Sequence, residues 1–188
     1  MPFIPAALRL QLATNALAAG GVVACPTEAV WGLSCNPADA LAVERLLSLK
    51  GRSVAKGLIL VAAGQNQLDF LLEQLSDQDR SKVAASWPGP TTWLVPHGGR
   101  VPGWIHGDHA TVAVRVSNHP VVRALCNAWD GPLVSTSANR AGARPPRELF
   151  QVKRFFGERL DYCLPGQVGR SARPSVIKDL FSGQIVRF

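Results

Sequence analysis

A chain of 188 residues with 47% hydrophobic and 18% charged residues is long enough to bury a sizeable core, and its composition excludes an intrinsically disordered protein. The formal net charge of +7 indicates an anionic partner, such as a nucleotide or RNA. No apolar run reaches the roughly 20 residues that span a bilayer, and the N-terminal segment lacks the pattern of a secretory signal. We therefore expect a cytoplasmic protein with one domain over residues 1–188.

Helical patterns alternate with short apolar runs along the chain. Apolar residues spaced by three or four predict helices over 5–19, 38–50, 67–75, 121–130 and 148–156, with a further helix after Ser76. The predicted strands are Val22–Cys25, Leu58–Ala62, Thr91–Val95, Thr111–Val116, Leu133–Ser135, Leu160–Leu164, Ser175–Leu180 and 184–188. Because several connections are too short for a helical crossover, we predict a mixed sheet with helices on its faces.

Capping residues define the boundaries of two predicted helices. Asn36 is expected to cap the helix over 38–50, with Pro37 at its first position, and Gly51 is expected to end it. Gly131 is expected to end the helix over 121–130.

Three cations lie close together between the second helix and the second predicted strand. Lys50, Arg52 and Lys56 fall within seven residues, with Gly51 inside the run and Gly57 directly after it. Lys50 ends a helix, where a cation complements the helix dipole without any ligand, and the other two cations are compatible with solvation. A cluster of like charges that leads into a buried strand also fits a site that binds phosphate groups. Both interpretations stay open at this point.

Further polar residues lie beside predicted strands. The segment 135–139, of sequence STSAN, is either an ordinary polar turn or a loop that binds phosphate or ribose. Arg115 stands inside the apolar sequence VAVRV, so it needs a partner if it faces the core and none if it faces solvent. Thr27 opens the turn after the first strand, where its hydroxyl caps a helix or faces a ligand. Glu28 is interpreted as a charge at a helix start.

Standard signatures of metal and nucleotide sites are missing from the sequence. His106 and His109 are separated by three positions in a glycine-rich loop without a nearby cysteine, so no metal site is predicted. The sequence contains no Walker loop, no GxGxxG and no HExxH motif. A nucleotide site in this chain must therefore be built in another way.

Six short motifs occur in order: PTEAVWGL, KGRSVAKGLIL, SWPGPTT, AVRVSNHP, LVSTSAN and PSVIKDL. Together, over roughly residues 8–186, they resemble the YrdC/Sua5 family of threonylcarbamoyl-AMP synthases, in its short bacterial form. Each motif is modest alone, whereas six in order are specific. The resemblance implies a single-domain α/β fold, with a twisted sheet of parallel and antiparallel strands, flanking helices and a basic concave face.

The resemblance also implies an activity. The family makes threonylcarbamoyl-adenylate and pyrophosphate from L-threonine, bicarbonate and ATP, with Mg²⁺ accompanying the nucleotide, and the product serves the t6A modification of tRNA. The implied partners are these substrates and the downstream threonylcarbamoyl-transferase proteins. Transfer RNA itself is a further candidate partner, and no membrane is involved.

The family's motifs assign roles to individual residues of this chain. Lys50 and Arg52 match a KxR pair that binds phosphate, and they are the predicted catalytic residues. Lys56, whose charge belongs to the same cluster, is predicted to bind ATP or substrate. Thr27 matches a threonine near the amino-acid substrate. The other positions predicted to bind ATP or substrate are Arg115, Ser135, Ser137, Asn139 and Ser175. The longer Sua5-type members carry a histidine at the place of Val61 or Ala62, which is a departure in this sequence.

The composition of these motifs agrees with that reaction. A carbamate made from threonine and bicarbonate already bears a carboxylate, so it needs no strong base to attack the α-phosphorus. Its approach to a triphosphate with about four negative charges is the main difficulty, and clustered cations reduce that repulsion. The rival hypothesis is a non-catalytic protein that binds double-stranded RNA or tRNA, which the net charge fits equally well.

Overall fold

The computed structural model describes residues 6–171 and 173–187, and its centre is a nine-stranded mixed sheet. The strands are β1 (Val23–Pro26), β2 (Trp31–Ser34), β3 (Ile59–Ala62), β4 (Thr91–Pro96), β5 (Thr111–Val116), β6 (Leu133–Ser137), β7 (Tyr162–Cys163), β8 (Val176–Asp179) and β9 (Ile185–Arg187). They are hydrogen-bonded in the order β7-β1-β2-β6-β3-β5-β4-β8-β9. The pairs β1–β7, β3–β5 and β4–β8 are parallel and the others antiparallel, which confirms the predicted mixed sheet.

Seven α-helices surround this sheet in the described part of the chain. They are α1 (Ala6–Ala18), α2 (Ala40–Lys50), α3 (Asp69–Leu72), α4 (Asp77–Ala84), α5 (Gly103–His106), α6 (Pro120–Trp129) and α7 (Leu149–Phe156). The helix predicted over 67–75 is wrong as one element, because a 3-10 turn at Gln65–Leu68 precedes the single turn of α3. Among the described residues, no helix is long and apolar enough to cross a membrane.

The start of α2 differs from its prediction. Asp39, and not Asn36, is the N-cap: its carboxylate accepts hydrogen bonds from the N–H groups of Leu41 and Ala42. Asn36 instead accepts from Ala38 N in the turn before the helix. The helix ends at Gly51 as predicted, with a φ of 62° that suits glycine.

Two other predicted boundaries change. Asp130, with a φ of 60°, ends α6 one residue before Gly131, the expected stop. Strand β2 was not predicted at all, because Gly32 lowers the strand propensity of the short sequence WGLS. A side chain at position 32 would meet Thr27 Cγ2 at 3.1 Å and Thr136 O at 3.4 Å, so close packing explains the glycine.

Successive residues of the central strands pack on opposite faces of the sheet, as the period of a strand requires. On β3, Leu60 and Ala62 join one apolar cluster with residues of α2 and α7. Val61, with Ala63 just after the strand, joins a second cluster with residues of α1 and α6. The helices therefore cover both faces of the sheet. The single-domain assignment and the basic character of the concave face remain predictions.

Strand register brings distant motifs together. Strand β6 lies between β2 and β3 and is antiparallel to both, with Ser137 opposite Gly32 and Ser135 opposite Ile59. The end of β6 is therefore beside the segments that lead into β2 and β3. These segments are the turn over 27–30 and the cationic loop, which we define as residues 50–57.

Candidate functional site

A cavity of about 500 Å³ opens where these segments meet. The predicted site residues that line it are Thr27, Arg52, Lys56, Arg115, Ser135, Ser137 and Ser175. Lys50 and Asn139 do not line the cavity. Asn139 follows the lining residues of β6, and Lys50 donates a hydrogen bond to its carbonyl. The structure thus brings the predicted residues to one place, while their roles stay predictions.

Glycines and caps shape the cationic loop. After Gly51, the side chain of Ser53 caps a 3-10 turn over Val54–Lys56. Gly57 then turns the chain into β3 with a φ of 62°. Arg52 Nη2 donates to Gly57 O at 2.9 Å, which ties the guanidinium to the loop that carries it. Both Arg52 and the exposed Lys56 reach the cavity.

Lys50 is buried, with 4% of its surface exposed. Its ammonium donates to the carbonyl of Ser137 and, at 2.8 Å, to the carbonyl of Asn139. Burial lowers the pKa of Lys50 to about 8, and the positive charge of the nearby Arg52 guanidinium is a second, smaller cause. In this structure Lys50 therefore holds the end of β6 and the loop after it, next to the cavity wall.

The segment 135–139 is a strand end followed by a tight turn. Ser135, Thr136 and Ser137 belong to β6, which extends two residues beyond its predicted end. Asn139 is buried and its Nδ2 donates to the carbonyls of Arg140 and Ala143. This turn presents the hydroxyl side of β6 to the cavity.

Arg115 faces the interior, which settles the alternative that its sequence left open. It is 7% exposed, and its Nη2 lies 3.2 Å from Glu28 Oε2. Glu28 Oε1 accepts hydrogen bonds from Ser117 Oγ at 2.7 Å and Asn118 N at 3.1 Å. Burial alone would raise the pKa of Glu28, but Arg115 and these donors lower it. The interpretation of Glu28 as a helix-start charge is wrong, since it lies in the β1–β2 turn.

Two predicted hydroxyl residues are held by hydrogen bonds to other residues of the protein. Thr27 Oγ1 donates to Val30 O at 2.7 Å, which closes the β1–β2 turn beside the cavity. Ser175, just before β8, shares a 2.9 Å hydrogen bond with Thr92 on β4. Both residues are buried, so each presents only a small polar surface to a ligand.

A histidine-bearing segment supports the cationic loop from outside the sheet. Leu58 N donates to Ile105 O at 2.8 Å, and Asp108 N donates to Ala55 O at 3.2 Å. His106 and His109 line the cavity. The two histidines are thus part of the wall near the cations, a position that their spacing did not predict. No group of three or more candidate metal ligands occurs among the described residues.

Other lining residues were missed because their motifs carry no chemical signature. Arg173 adds a cation from the loop before β8. The apolar part of the wall contains Leu94, Ile105, Val112, Ile177 and Val186. An apolar surface beside clustered cations and hydroxyls is the kind of cavity that accepts a flat ring attached to an anionic chain.

Sequence comparisons identify relatives over almost the whole chain. The family model of Sua5, YciO and YrdC proteins, described as "Telomere recombination", matches residues 15–188. The threonylcarbamoyl-AMP synthase of Cellvibrio japonicus is 50% identical over 179 residues, 95% of either chain. That of Marinobacter nauticus is 52% identical over 184 residues, 97% of either chain.

Solved structures share the fold. P. abyssi Sua5, in a structure complexed with L-threonine, is 30% identical with a TM-score of 0.86, over 95% of this chain and 52% of that one. This chain thus spans about half the length of that protein. YciO of E. coli is 22% identical, with a TM-score of 0.84, over 98% of this chain and 90% of that one. At this level of identity, the likeness supports the fold alone. The match to the family model and the identity with these relatives show that the chain belongs to the Sua5/YciO/YrdC family.

Proposed function

We propose that this protein is a threonylcarbamoyl-AMP synthase, which joins L-threonine and bicarbonate to the AMP part of ATP and releases pyrophosphate. The main support for this proposal is that Arg52, Lys56 and the hydroxyl end of β6 line one cavity with an apolar wall. Relatives that are about half identical over 95% of the chain carry this name.

The reaction needs little acid–base chemistry from the protein. The threonine ammonium and bicarbonate give a carbamate, water and a proton. A carbamate oxygen then bonds to the α-phosphorus while the bond to the β-phosphate oxygen breaks, and pyrophosphate leaves. Cations that face the phosphates lower the repulsion between the two anions and stabilise the leaving group. We assign this role to Arg52 and Lys56, because both line the cavity.

Mg²⁺ is best treated as part of the nucleotide substrate. Glu28 is the one carboxylate among the described lining residues, and it is engaged by Arg115. Since Mg²⁺ prefers carboxylate and phosphate oxygens, the ion would enter on the phosphates of ATP. Bound there, it would offset phosphate charge and aid the departure of pyrophosphate.

Pyrophosphate release tests the proposal directly. Release should require ATP, L-threonine and bicarbonate together, and omission of any one should abolish it. Arg52→Ala and Lys50→Ala should each lower the rate by orders of magnitude while the protein stays folded. The first change removes a cation from the cavity, and the second removes the group that holds Ser137. Near-wild-type turnover in both variants would refute the assignment of the site.

The same assay separates this function from RNA binding alone. A binding protein would show RNA affinity that falls steeply with salt and no release of pyrophosphate. We place the reaction in the cytoplasm, with tRNA as a candidate contact and the threonylcarbamoyl-transferase proteins as recipients of the adenylate. The net charge of +7 supports an RNA contact, while the relatives support catalysis.

A further inference from the structure

One cation of the cavity wall has no role in the reaction as described so far. Arg173 lies on the loop before β8, is exposed and lines the cavity. Within the described part of the chain, its guanidinium makes no ion pair and no hydrogen bond. Arg115 differs in this respect, because it is 7% exposed and paired with Glu28. Arg173 is therefore available to an anionic ligand in a way that Arg115 is not.

The backbone on both sides of Arg173 is attached to the rest of the protein. Before it, Ser171 N donates to Glu28 O at 3.1 Å, in the β1–β2 turn. A side chain at position 169 would meet Glu28 O at 2.7 Å, so this part of the loop is packed directly on that turn. After it, the hydroxyl of Ser175 shares a 2.9 Å hydrogen bond with a threonine of β4. The loop thus fixes the place of a cation whose own side chain is not engaged.

A buried histidine anchors the earlier part of the same loop. His119, at the start of α6, is 6% exposed, and its Nε2 lies 3.0 Å from Gln167 O. Because a carbonyl oxygen only accepts, the imidazole donates through Nε2. The loop is therefore attached to the β1–β2 turn, to β4 and to α6. These attachments keep the backbone of Arg173 in one position relative to the cavity.

Arg173 and the cationic loop approach the cavity from opposite ends of the strands. One row across β3, β5, β4 and β8 is formed by the registered residues Ile59, Ala113, Leu94 and Asp179. The cationic loop comes before this row on β3. Because β8 runs antiparallel to β3, Ser175 lies on the other side of the row, four residues or about 13 Å from Asp179 along the strand. Arg173 precedes Ser175 at that end.

The proposed reaction brings two anionic substrates into this cavity. The polyphosphate is assigned above to Arg52 and Lys56, and the amino acid carries a carboxylate that the reaction leaves unchanged. Binding the two anions at opposite ends of the cavity reduces their repulsion. A guanidinium suits a carboxylate, because it can donate two parallel hydrogen bonds to the two oxygens.

We propose that Arg173 binds the carboxylate of the amino-acid substrate and holds it apart from the polyphosphate. The proposal rests on the proposed function for the identity of that substrate. Since this carboxylate takes no part in the attack on the α-phosphorus, Arg173 contributes to substrate binding and not to bond formation. Its loss should therefore appear in the KM for the amino acid.

Arg173→Gln tests the proposal, and Arg170→Gln is its matched control. Arg170 lies on the same loop and is exposed, but it is not among the residues that line the cavity. In the pyrophosphate-release assay, Arg173→Gln should raise the KM for L-threonine roughly tenfold and leave the KM for ATP within about twofold. Arg170→Gln should leave both within about twofold, since its charge is screened. An equal rise in the KM for ATP, or equal results for the two variants, would overturn the proposal.

L-threoninamide distinguishes a direct contact from an effect on the loop, because it replaces the carboxylate with a neutral amide. In calorimetric titrations, the wild type should bind L-threonine roughly tenfold more tightly than the amide. In Arg173→Gln the two Kd values should agree within about twofold, through loss of affinity for L-threonine. A change in loop structure would instead weaken both ligands equally and would overturn the proposal. Arg173→Lys, which keeps the charge without the planar fork, should give an intermediate preference.

These titrations need no turnover, so the two proposals can fail separately. A wild-type protein that binds L-threonine through Arg173 but releases no pyrophosphate would refute only the proposed function. Normal turnover with an unchanged affinity of Arg173→Gln for L-threonine would refute only the role of Arg173. A wild-type protein that neither binds L-threonine nor turns over would refute both.

Discussion

Replacing Lys50 with methionine should change how the stability of the protein depends on pH. The ammonium of Lys50 is buried and donates to the carbonyls of Ser137 and Asn139. Burial and the charge of Arg52 lower its pKa from 10.5 to about 8. Methionine keeps an unbranched apolar side chain, one heavy atom shorter than that of lysine, and cannot titrate. The difference in pH dependence between the two proteins therefore reports the titration of Lys50.

The sign and size follow from proton binding. Between about pH 8 and pH 10.5 the unfolded chain holds more protons at this position than the folded chain. The free energy of unfolding of the wild type therefore rises with pH across that window, by up to about 3 kcal/mol. Below about pH 8 both states are charged, and the cost of burying the ammonium is present in full.

Urea unfolding of both proteins across this pH range measures the effect. Burial raises the pKa of the thiols of Cys25, Cys35 and Cys126 to about 12, which lowers stability as the pH rises above 9. That contribution is common to both proteins, so the difference between them isolates Lys50. A difference that stays constant from neutral pH to pH 10.5 would show that the ammonium is not desolvated.

Two further pairs of substitutions test local features of the fold. Gly107→Ala would place a Cβ 2.5 Å from Ala55 O and push the cationic loop outward, so the KM for ATP should rise severalfold in the pyrophosphate-release assay. Gly99→Ala carries similar strain, with a φ of +75° and no atom within 4 Å, and should leave KM unchanged. Asp39→Ala should lower the free energy of unfolding by about 1 kcal/mol, and Asn36→Ala by less, because Asp39 is the cap of α2.

Features that depend on neighbours in the sequence were predicted well. The glycine stop at Gly51 and the apolar strand that becomes β3 both follow from local chemistry. The cap of α2 was not determined in this way, since Asn36 and Asp39 are both good capping residues within four positions. Pro37 fits the first turn of a helix that begins at Asn36, but the helix that forms begins at Ala40.

Features that depend on strand order could not be predicted from local sequence patterns. Glu28 lies in the β1–β2 turn and Arg115 lies on β5, far apart in the sequence. No residue near either of them indicates that the two form a pair. The interior position of Arg115 could be stated only as one of two alternatives. The structure identifies its partner, because the β1–β2 turn that carries Glu28 lies beside the end of β5.

The position of β6 explains why the motifs of the sequence converge. Its partners β2 and β3 precede it by about a hundred and about seventy-five residues, and it pairs with both in antiparallel register. Because antiparallel pairing places the end of one strand beside the start of its neighbour, Ser135–Ser137 must lie beside the residues that lead into β2 and β3. The hydroxyls and the cationic loop therefore share one edge as a consequence of strand order. Lys50 strengthens this junction with hydrogen bonds to Ser137 and Asn139.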